Sequence, residues 1–316
     1  MNKKLRIVFL GTPDFAVASL KALIDNKQNI VGVITAPDKP AGRGKQIQES
    51  AVKKYAQKNN LTILQPLNLK DEDFLTELRN LKADLQIVVA FRMLPVKVWD
   101  MPRLGTFNLH ASMLPQYRGA APINWAIMNG ETSTGVSTFF LQHKIDTGNI
   151  ILQTSTPISP NTNAGELHDT LMNLGAKLVI ETVLQIEENN VTEKPQKNLP
   201  NSELKLAPKI YKSDCKIDWY KPLNEIHNKI RGLSPYPTAW TIINNKSLKI
   251  FKGETELVKH TNTIASIITD NKSFLKIAVQ DGYYQITELQ IEGKKRMSIQ
   301  NFLQGFQNTK LSNTIG

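Results

Sequence analysis

The sequence is poor in cysteine and has no long apolar segment. Its 316 residues include one cysteine, Cys215, which excludes an internal disulfide and any zinc site built from several thiolates. No run approaches the roughly 18 apolar residues that a membrane-spanning helix requires, so no membrane partner is expected. A lone thiol without a membrane segment favours a protein of the reducing cytoplasm.

Acidic residues are also scarce relative to basic ones. The chain has 39 Lys and Arg against 28 Asp and Glu, which gives a formal net charge of +11. Residues 209–316 contribute +7 of this, from 16 basic and 9 acidic side chains. A basic surface attracts polyanions, so nucleic acid is first among the expected partners. The alternative is a basic surface that serves solubility alone.

The glycine-rich dinucleotide fingerprint is missing, although the pattern that usually surrounds it is present. A continuous apolar run at 5–10 predicts a buried strand, and an amphipathic helix and a second strand at 30–35 follow it. The turn after the first strand, GTPDFA, has one glycine where the G-x-G-x-x-G motif needs three. The sequence therefore predicts a doubly wound, Rossmann-like α/β domain without a nicotinamide site.

Two regions with different patterns are separated by a polar stretch. Residues 190–208 contain three prolines and no apolar periodicity, which predicts a linker. Residues 1–189 hold the long buried runs and helices, and we expect them to form the α/β domain. Residues 209–316 hold short strand-like segments separated by turn residues, which predict a small β-barrel domain.

Polar residues concentrate between 105 and 148. Asn108 and His110 are two residues apart in TFNLH, whose residue types predict a strand, so both side chains leave one face. Asp146 lies in a DTG turn, and a carboxylate near a histidine can fix its tautomer. Together they predict an acid–base site at the carboxyl end of a strand. The alternative is that Asn and Asp cap turns and that the histidine packs in the core.

A loop between the second strand and the next helix is a second candidate. Residues 36–49 contain two prolines, two glycines and several basic side chains, without apolar periodicity. We predict a mobile loop whose Arg43, between two glycines, reaches an anionic or carbonyl-rich substrate. A solvated surface loop is the alternative.

These motifs together resemble the 10-formyltetrahydrofolate-dependent formyltransferases. The likeness is carried by NLHASMLP at 108–115, YRGAAP at 117–122 and DTG at 146–148. It continues in GTPDFA at 11–16, PDKPAGRGK at 37–45, IDW at 217–219 and RGLSPYPTAW at 231–240. The resemblance implies transfer of a formyl group from 10-formyltetrahydrofolate to the amino group of methionine on initiator tRNA. It also implies an OB-like barrel after the linker, no metal, and a monomer.

The resemblance also implies roles for individual residues. The segment FRMLP at 91–95 departs from the family pattern and is one residue shorter, so we expect an altered pterin pocket. Other acceptors remain open: glycinamide ribonucleotide, an amino sugar nucleotide or water. A protein that binds RNA without catalysis is a further alternative. The implied sets are Asn108, His110 and Asp146 for catalysis, Ser112, Met113, Leu114 and Pro115 for the folate, and Arg43, Lys45, Tyr117 and Arg118 for the tRNA substrate.

Overall fold

A computed structural model describes residues 4–41, 46–197, 199–200, 202–305 and 314–316, and within them the chain forms two compact units. The first unit consists of the described residues of Met1–Gly119, Thr134–Thr156 and His168–Leu206. The second consists of those of Ala120–Ser133, Pro157–Leu167 and Ala207–Gly316. The second unit therefore includes two segments that precede residue 189, namely 120–133 and 157–167. Composition alone does not suggest this grouping.

The first unit is built on a seven-stranded sheet in the order β5-β2-β1-β6-β7-β8-β9. The strands from β5 to β7 run parallel, and β8 is antiparallel to β7. Every residue of β6 is buried, as its continuous apolar run predicts. The Rossmann-like α/β fold expected from the sequence is confirmed. The strands are β1 (Arg6–Gly11), β2 (Asn29–Ile34), β5 (Ile63–Leu64), β6 (Leu85–Val89), β7 (Thr106–His110), β8 (Ser133–Phe140) and β9 (Ile150–Pro157).

The amphipathic helix that the sequence predicts after the first strand is confirmed as α1. In α1, Ala16, Leu20 and Leu23 are buried on one stripe. The helices of this part of the chain are α1 (Asp14–Asp25), α2 (Ala51–Lys58), α3 (Glu72–Asn80), α4 (Val96–Trp99), α5 (Pro122–Met128) and α6 (Ala164–Glu187).

The loop predicted at 36–49 is partly regular. Its two sides form a small antiparallel pair, β3 (Lys39–Ala41) with β4 (Gln46–Gln48). The sequence did not predict this pairing, and the mobility of the loop stays a prediction. Backbone pairing across a hairpin needs no apolar periodicity, so the sequence pattern did not reveal it. Arg43 and Lys45 lie outside the described residues.

Helix α6 packs against one face of the sheet beneath β7. A Cβ on Gly175 of α6 would lie 2.7 Å from Cδ2 of Leu109, so the absence of a side chain there permits close packing. Thr182 of α6 and Thr138 of β8 share a hydrogen bond of 2.8 Å. Because side chains alternate along a strand, the neighbours of Leu109 in β7 lie on the opposite face from α6.

The second unit contains a six-stranded antiparallel sheet in the order β10-β11-β14-β13-β12, with β15 on β14. The last three residues of the chain join its two edges. The N–H and C=O groups of Ile242 and Gly316 bond to each other, and the Ile315 N–H donates to Ala265 O. This closure agrees with the expected barrel. The elements are α7 (Leu223–Gly232), β10 (Ala239–Ile243), β11 (Lys246–Leu257), β12 (Ile267–Thr269), β13 (Leu275–Val279), β14 (Gly282–Ile291), β15 (Met297–Ser298) and α8 (Ile299–Gly305).

Helix α5 belongs to the second unit because it packs tightly on α7. A Cβ on Gly232 would lie 2.6 Å from Cγ of Met128, and the Asn124 amide donates to Gly232 O at 2.7 Å. The Trp125 indole N–H donates to Pro208 O at 2.8 Å. In the described part of the chain, no helix is both long and apolar enough to cross a membrane.

The domain boundaries at 189 and 208 remain a prediction that proteolysis can test. We expect limited digestion of the native protein to cut within 190–208 first, because most described side chains of this polar segment are exposed. Mass spectrometry of the first fragments gives the cut sites. Earlier cleavage within 100–150 would contradict the boundaries.

Candidate functional site

Strand β7 brings Asn108 and His110 to the face of the sheet that α6 does not cover. On β8 their register partners are Phe139 for Asn108 and Ser137 for His110. His110 is the last residue of β7, at the carboxyl end of a parallel pair with β6. Ligands of open α/β sheets bind outside the carboxyl ends of the strands, so this is the expected place for a site.

The tautomer of His110 is set by a backbone carbonyl. Its Nε2 lies 2.8 Å from the carbonyl oxygen of Tyr117, and its side chain is only 7% exposed. A carbonyl oxygen only accepts, so Nε2 must carry the proton. Nδ1 is left to face Asp146, whose Oδ2 is 3.9 Å away. This separation is too long for a direct hydrogen bond, although a proton on Nδ1 would point towards a carboxylate.

The backbone of Asp146 and the loop after β7 hold this carboxylate in place. Asp146 has a φ of 53°, a left-handed conformation that Asp tolerates better than most residues. Its Oδ2 accepts a hydrogen bond of 2.9 Å from the Gly119 N–H. The same oxygen therefore faces both His110 and the loop, which ties the DTG turn to residues 117–119.

The Asn108 amide has hydrogen-bonding capacity to spare. Its side chain is half-buried, and it makes no hydrogen bond to any residue that the structure describes. Buried amides are normally paired, so an unpaired amide at a strand end is available to a ligand. It offers two N–H donors and one acceptor next to the pair formed by His110 and Asp146.

The four residues expected to line the folate divide into two groups. The side chains of Ser112 and Leu114 are buried, and those of Met113 and Pro115 are half-buried. The Ser112 hydroxyl donates to Gln116 O at 2.6 Å, and Leu114 packs in a small apolar cluster with neighbours on β8 and β9. Only Met113 and Pro115 thus present side-chain surface to a ligand, and the role of all four stays a prediction.

Tyr117 and Arg118, expected at the tRNA substrate, differ in exposure. Tyr117 is 4% exposed, with a φ of 60° that is strained for a bulky residue. The Arg118 guanidinium is half-buried and donates from Nε and Nη2 to Oε1 of Gln196, at 3.1 and 2.6 Å. Burial lowers the pKa of Arg118, and the nearby Asp146 carboxylate offsets part of this.

Sequence reasoning missed a hydroxyl network under the loop. Ser137 donates to Ser112 O at 2.6 Å and accepts from the Leu114 N–H at 3.2 Å. The Gln153 amide donates to Ser137 Oγ at 2.8 Å and to Leu114 O at 3.0 Å. Ser137 is directly opposite His110 across the strand pair, a position that only the register reveals.

The second unit contains another histidine cluster with similar residue types. A cleft of about 330 Å³ is lined by Glu131, His227, Asn228 and Arg231, among others. Burial lowers the pKa of His227 and of Arg231. The side-chain oxygen Oδ1 of Asn228 already accepts from Arg231 Nε at 2.9 Å, and Arg231 Nη1 donates to Thr162 O at 2.9 Å. The Asn228 amide oxygen therefore already has a partner, unlike the Asn108 amide, although His227 Nδ1 is buried without one among the described residues.

The described residues hold no group of three or more His, Cys, Asp or Glu that could bind a metal ion.

Both parts of the chain match models of known families. Residues 5–183 match a model described as formyl transferase, and residues 209–307 match one described as formyl transferase, C-terminal domain. The first match alone covers more than half of the chain and includes all three predicted catalytic residues.

Curated relatives match along almost the whole chain. The methionyl-tRNA formyltransferase of Bacteroides fragilis is 55% identical over 315 residues, which cover 98% of this chain and 97% of the relative. That of Flavobacterium johnsoniae is 56% identical over 307 residues, which cover 96% of each chain.

Solved structures show the same fold. An N-formyltransferase from Helicobacter canadensis, in complex with folinic acid and dTDP-3-aminofucose, has a TM-score of 0.65 at 25% identity. The match covers 89% of this chain and 98% of that one. HypX from Aquifex aeolicus, in complex with tetrahydrofolic acid, also has a TM-score of 0.65, at 19% identity, over 97% of this chain and 48% of that one.

Gly148 provides a test of the tight turn that carries Asp146. A Cβ at this position would lie 1.6 Å from the carbonyl oxygen of Phe140, which is backbone and cannot rotate away. We expect Gly148→Ala to lower the free energy of unfolding by about 1–3 kcal/mol or more, as overpacking does. Urea unfolding followed by circular dichroism measures it. Gly305→Ala is the matched control, because nothing lies within 4 Å of its added Cβ, and an equal effect of both substitutions would contradict the expectation.

Proposed function

This chain belongs to the formyl transferase family, and we propose that it transfers the formyl group of 10-formyltetrahydrofolate to the amino group of methionine on initiator tRNA. The observation that supports this acceptor best is the full-length likeness to methionyl-tRNA formyltransferases, at about 55% identity and including the basic second unit. The Helicobacter canadensis enzyme, with its amino sugar nucleotide, shares the fold at only 25% identity. The sequence-level alternative of an amino sugar acceptor therefore has weaker support.

Asn108 is suited to stabilise the charge that develops during the transfer. Attack of the amine nitrogen on the formyl carbon forms a new C–N bond and places negative charge on the formyl oxygen. An amide N–H aimed at such an oxygen is typically worth about 3–4 kcal/mol of transition-state stabilisation. The Asn108 amide has no competing partner among the described residues, so it can donate without breaking an existing bond.

His110 is suited to receive the proton that the attacking nitrogen loses. Its Nε2 is committed to the Tyr117 carbonyl, so Nδ1 is the nitrogen that accepts. A proton gained there faces Asp146 Oδ2 at 3.9 Å, a distance that one small movement or a bridging water closes. The proton then passes to the leaving nitrogen of the folate as the old C–N bond breaks.

The folate supplies the activated formyl group, and the chain must hold it beside Asn108. The unpaired Asn108 amide is in β7, and the half-buried Met113 and Pro115 follow in the loop directly after that strand. Met93, in the shortened FRMLP segment, is 74% exposed, so it offers apolar surface beyond the end of β6. These features fit a flat, partly apolar co-substrate.

A basic surface around Trp240 fits the phosphate backbone of tRNA. Lys212 Nζ lies 5.8 Å from the centre of the Trp240 ring, and Lys249 is the register partner of Trp240 across β10 and β11. Lys216 forms a β-bridge to Trp240 from the other side. Exposed lysines around an aromatic ring combine electrostatic attraction with a stacking surface.

No second copy of the chain is needed for the proposed chemistry. Asn108, His110 and Asp146 all come from one unit of one chain, so we propose that it acts as a monomer, in the cytoplasm with its tRNA substrate. Size-exclusion chromatography with light scattering tests the monomer.

The catalytic proposal predicts that Asn108, His110 and Asp146 act as a unit. We expect Asn108→Ala, His110→Ala and Asp146→Ala each to lower single-turnover formyl transfer by at least about 100-fold. The rate loss of each double variant should be much smaller than the product of the two single rate losses. Radiolabelled formyl donor with initiator Met-tRNA, elongator Met-tRNA and an amino sugar nucleotide as acceptors gives the rates.

His227→Ala is the matched control, because this histidine is also partly buried but lies in the second unit. It should leave the chemical step within about threefold of the unaltered rate. Near-normal transfer by folded His110→Ala or Asp146→Ala protein, judged by circular dichroism, would reject the mechanism. Faster formylation of the amino sugar than of initiator Met-tRNA would reject the proposed acceptor.

The basic surface predicts a change in the salt dependence of tRNA binding. Replacing Lys212 and Lys249 by Gln should make the slope of log Kd against log salt shallower by up to roughly 0.9 for each phosphate that is no longer neutralised. Substitution is cleaner than deletion of 209–316, because deletion would remove the helix on which α5 packs. Lys259→Gln with Lys272→Gln removes the same charge elsewhere on the second unit, and equal slopes for both pairs would contradict the assignment.

A further inference from the structure

Residues 191–206, here called the return segment, come back to the first unit after α6. Of these, 198 and 201 lie outside the described residues. Near its start, Lys194 forms a β-bridge with Ile150, and each N–H donates to the other carbonyl at 2.8 Å. Composition predicts a linker here, yet the segment is hydrogen-bonded to the elements that carry the proposed catalytic residues.

One side chain of the return segment, Gln196, joins two parts of the site. Its Nε2 donates to the carbonyls of Asp146 and Gly148, both at 2.9 Å. Its Oε1 accepts from Nε and Nη2 of Arg118, at 3.1 and 2.6 Å. Both ends of one planar amide are thus satisfied, and they connect the DTG turn to the loop after β7.

The far end of the return segment supports the other proposed catalytic group. Its Lys205 carbonyl accepts from the Tyr117 N–H at 2.6 Å, and its Lys205 N–H donates to Gln116 Oε1 at 2.7 Å. The same Tyr117 presents the carbonyl that binds His110 Nε2. The return segment therefore contacts the backbone that orients His110 as well as the backbone of Asp146.

We propose that Gln196 is a positioning residue for the formyl transfer, an inference that rests on the proposed function. It holds the backbone on both sides of the Asp146 turn and keeps the Arg118 guanidinium beside it. The carboxylate of Asp146 then stays 3.9 Å from His110 Nδ1, close enough for one small movement or a bridging water to complete the contact. Within the Asp146 turn Gln196 bonds only to the backbone, and it makes no hydrogen bond to the side chains of Asn108, His110 or Asp146.

A glutamine can make all four of these hydrogen bonds, and its near isosteres cannot. The two carbonyls need donors and the guanidinium needs an acceptor, and a primary amide supplies both from one plane. Glutamate keeps the acceptor for Arg118 but loses both donors, so it faces two carbonyls with a negative charge. Methionine has similar length and provides neither. The two substitutions therefore separate the Arg118 contact from the contacts to the turn.

The kinetic test compares Gln196→Met and Gln196→Glu with the unaltered chain and with Ser202→Ala, an exposed position in the same segment. We expect both Gln196 variants to lower kcat by about tenfold, with KM for folate and Met-tRNA within about twofold, because lost positioning acts on the transition state. Ser202→Ala should keep the unaltered kcat. In an Asp146→Asn background Gln196→Met should lower kcat by less than about twofold, since the carboxylate that Gln196 positions is already absent. If Gln196 only stabilised the fold, its loss of kcat would multiply with that of Asp146→Asn, or KM would rise.

Hydrogen exchange gives a readout that does not depend on the acceptor. The Gly119 N–H donates to Asp146 Oδ2, so loosening the turn should speed its exchange at least about fivefold in Gln196→Met, with distant peptides of β1 unchanged. Unaltered kcat in both Gln196 variants, multiplicative effects in the Asp146→Asn background, or unaltered exchange at Gly119 would each overturn the inference. If the unaltered chain transfers no formyl group to Met-tRNA, the proposed function fails, and the exchange result still decides whether Gln196 holds the turn.

Discussion

The hydrogen bond from His110 Nε2 to the carbonyl of Tyr117 is the interaction on which the site geometry depends. It assigns the proton of the neutral ring to Nε2 and leaves Nδ1 as the basic nitrogen. Tyr117 presents that carbonyl from a left-handed conformation, which costs energy for a bulky residue unless neighbours hold it. The Lys205 carbonyl, which accepts from the Tyr117 N–H, is one such neighbour.

Two clusters among the described residues contain an amide, an imidazole and a carboxylate, and they differ in whether the amide already has a hydrogen-bond partner. In the second unit Asn228 is bonded to Arg231, which is itself bonded to backbone carbonyls. In the first unit the Asn108 amide is unpaired among the described residues, and His110 Nδ1 faces Asp146 across 3.9 Å. Residue types alone do not distinguish the two clusters. Chemistry requires groups whose hydrogen bonds are incomplete until a substrate arrives.

Much of the fold follows from local pattern, and the exceptions have a common cause. The buried strand β1, the amphipathic helix α1 and the strand β2 are found where the sequence places them, because burial and amphipathic periodicity act over a few residues. A barrel was expected, but neither the use of residues 314–316 to close it nor the pairing of β3 with β4 was predicted. Both depend on backbone hydrogen bonds between segments, and the side-chain pattern carries little information about such bonds.

The amino-acid sequence by itself determined which chemical groups are present, that Asn108 and His110 share a strand face, and that Asp146 lies in a glycine-containing turn. Strand alternation and turn chemistry are local, so spacing is sufficient to predict them. Only the tertiary structure decided which His110 nitrogen is free, that Ser112 and Leu114 are buried, and that Gln196 reaches the Asp146 turn from 50 residues away. These outcomes depend on which backbone groups, distant in the sequence, come within hydrogen-bonding distance, and the packing of the whole first unit decides that.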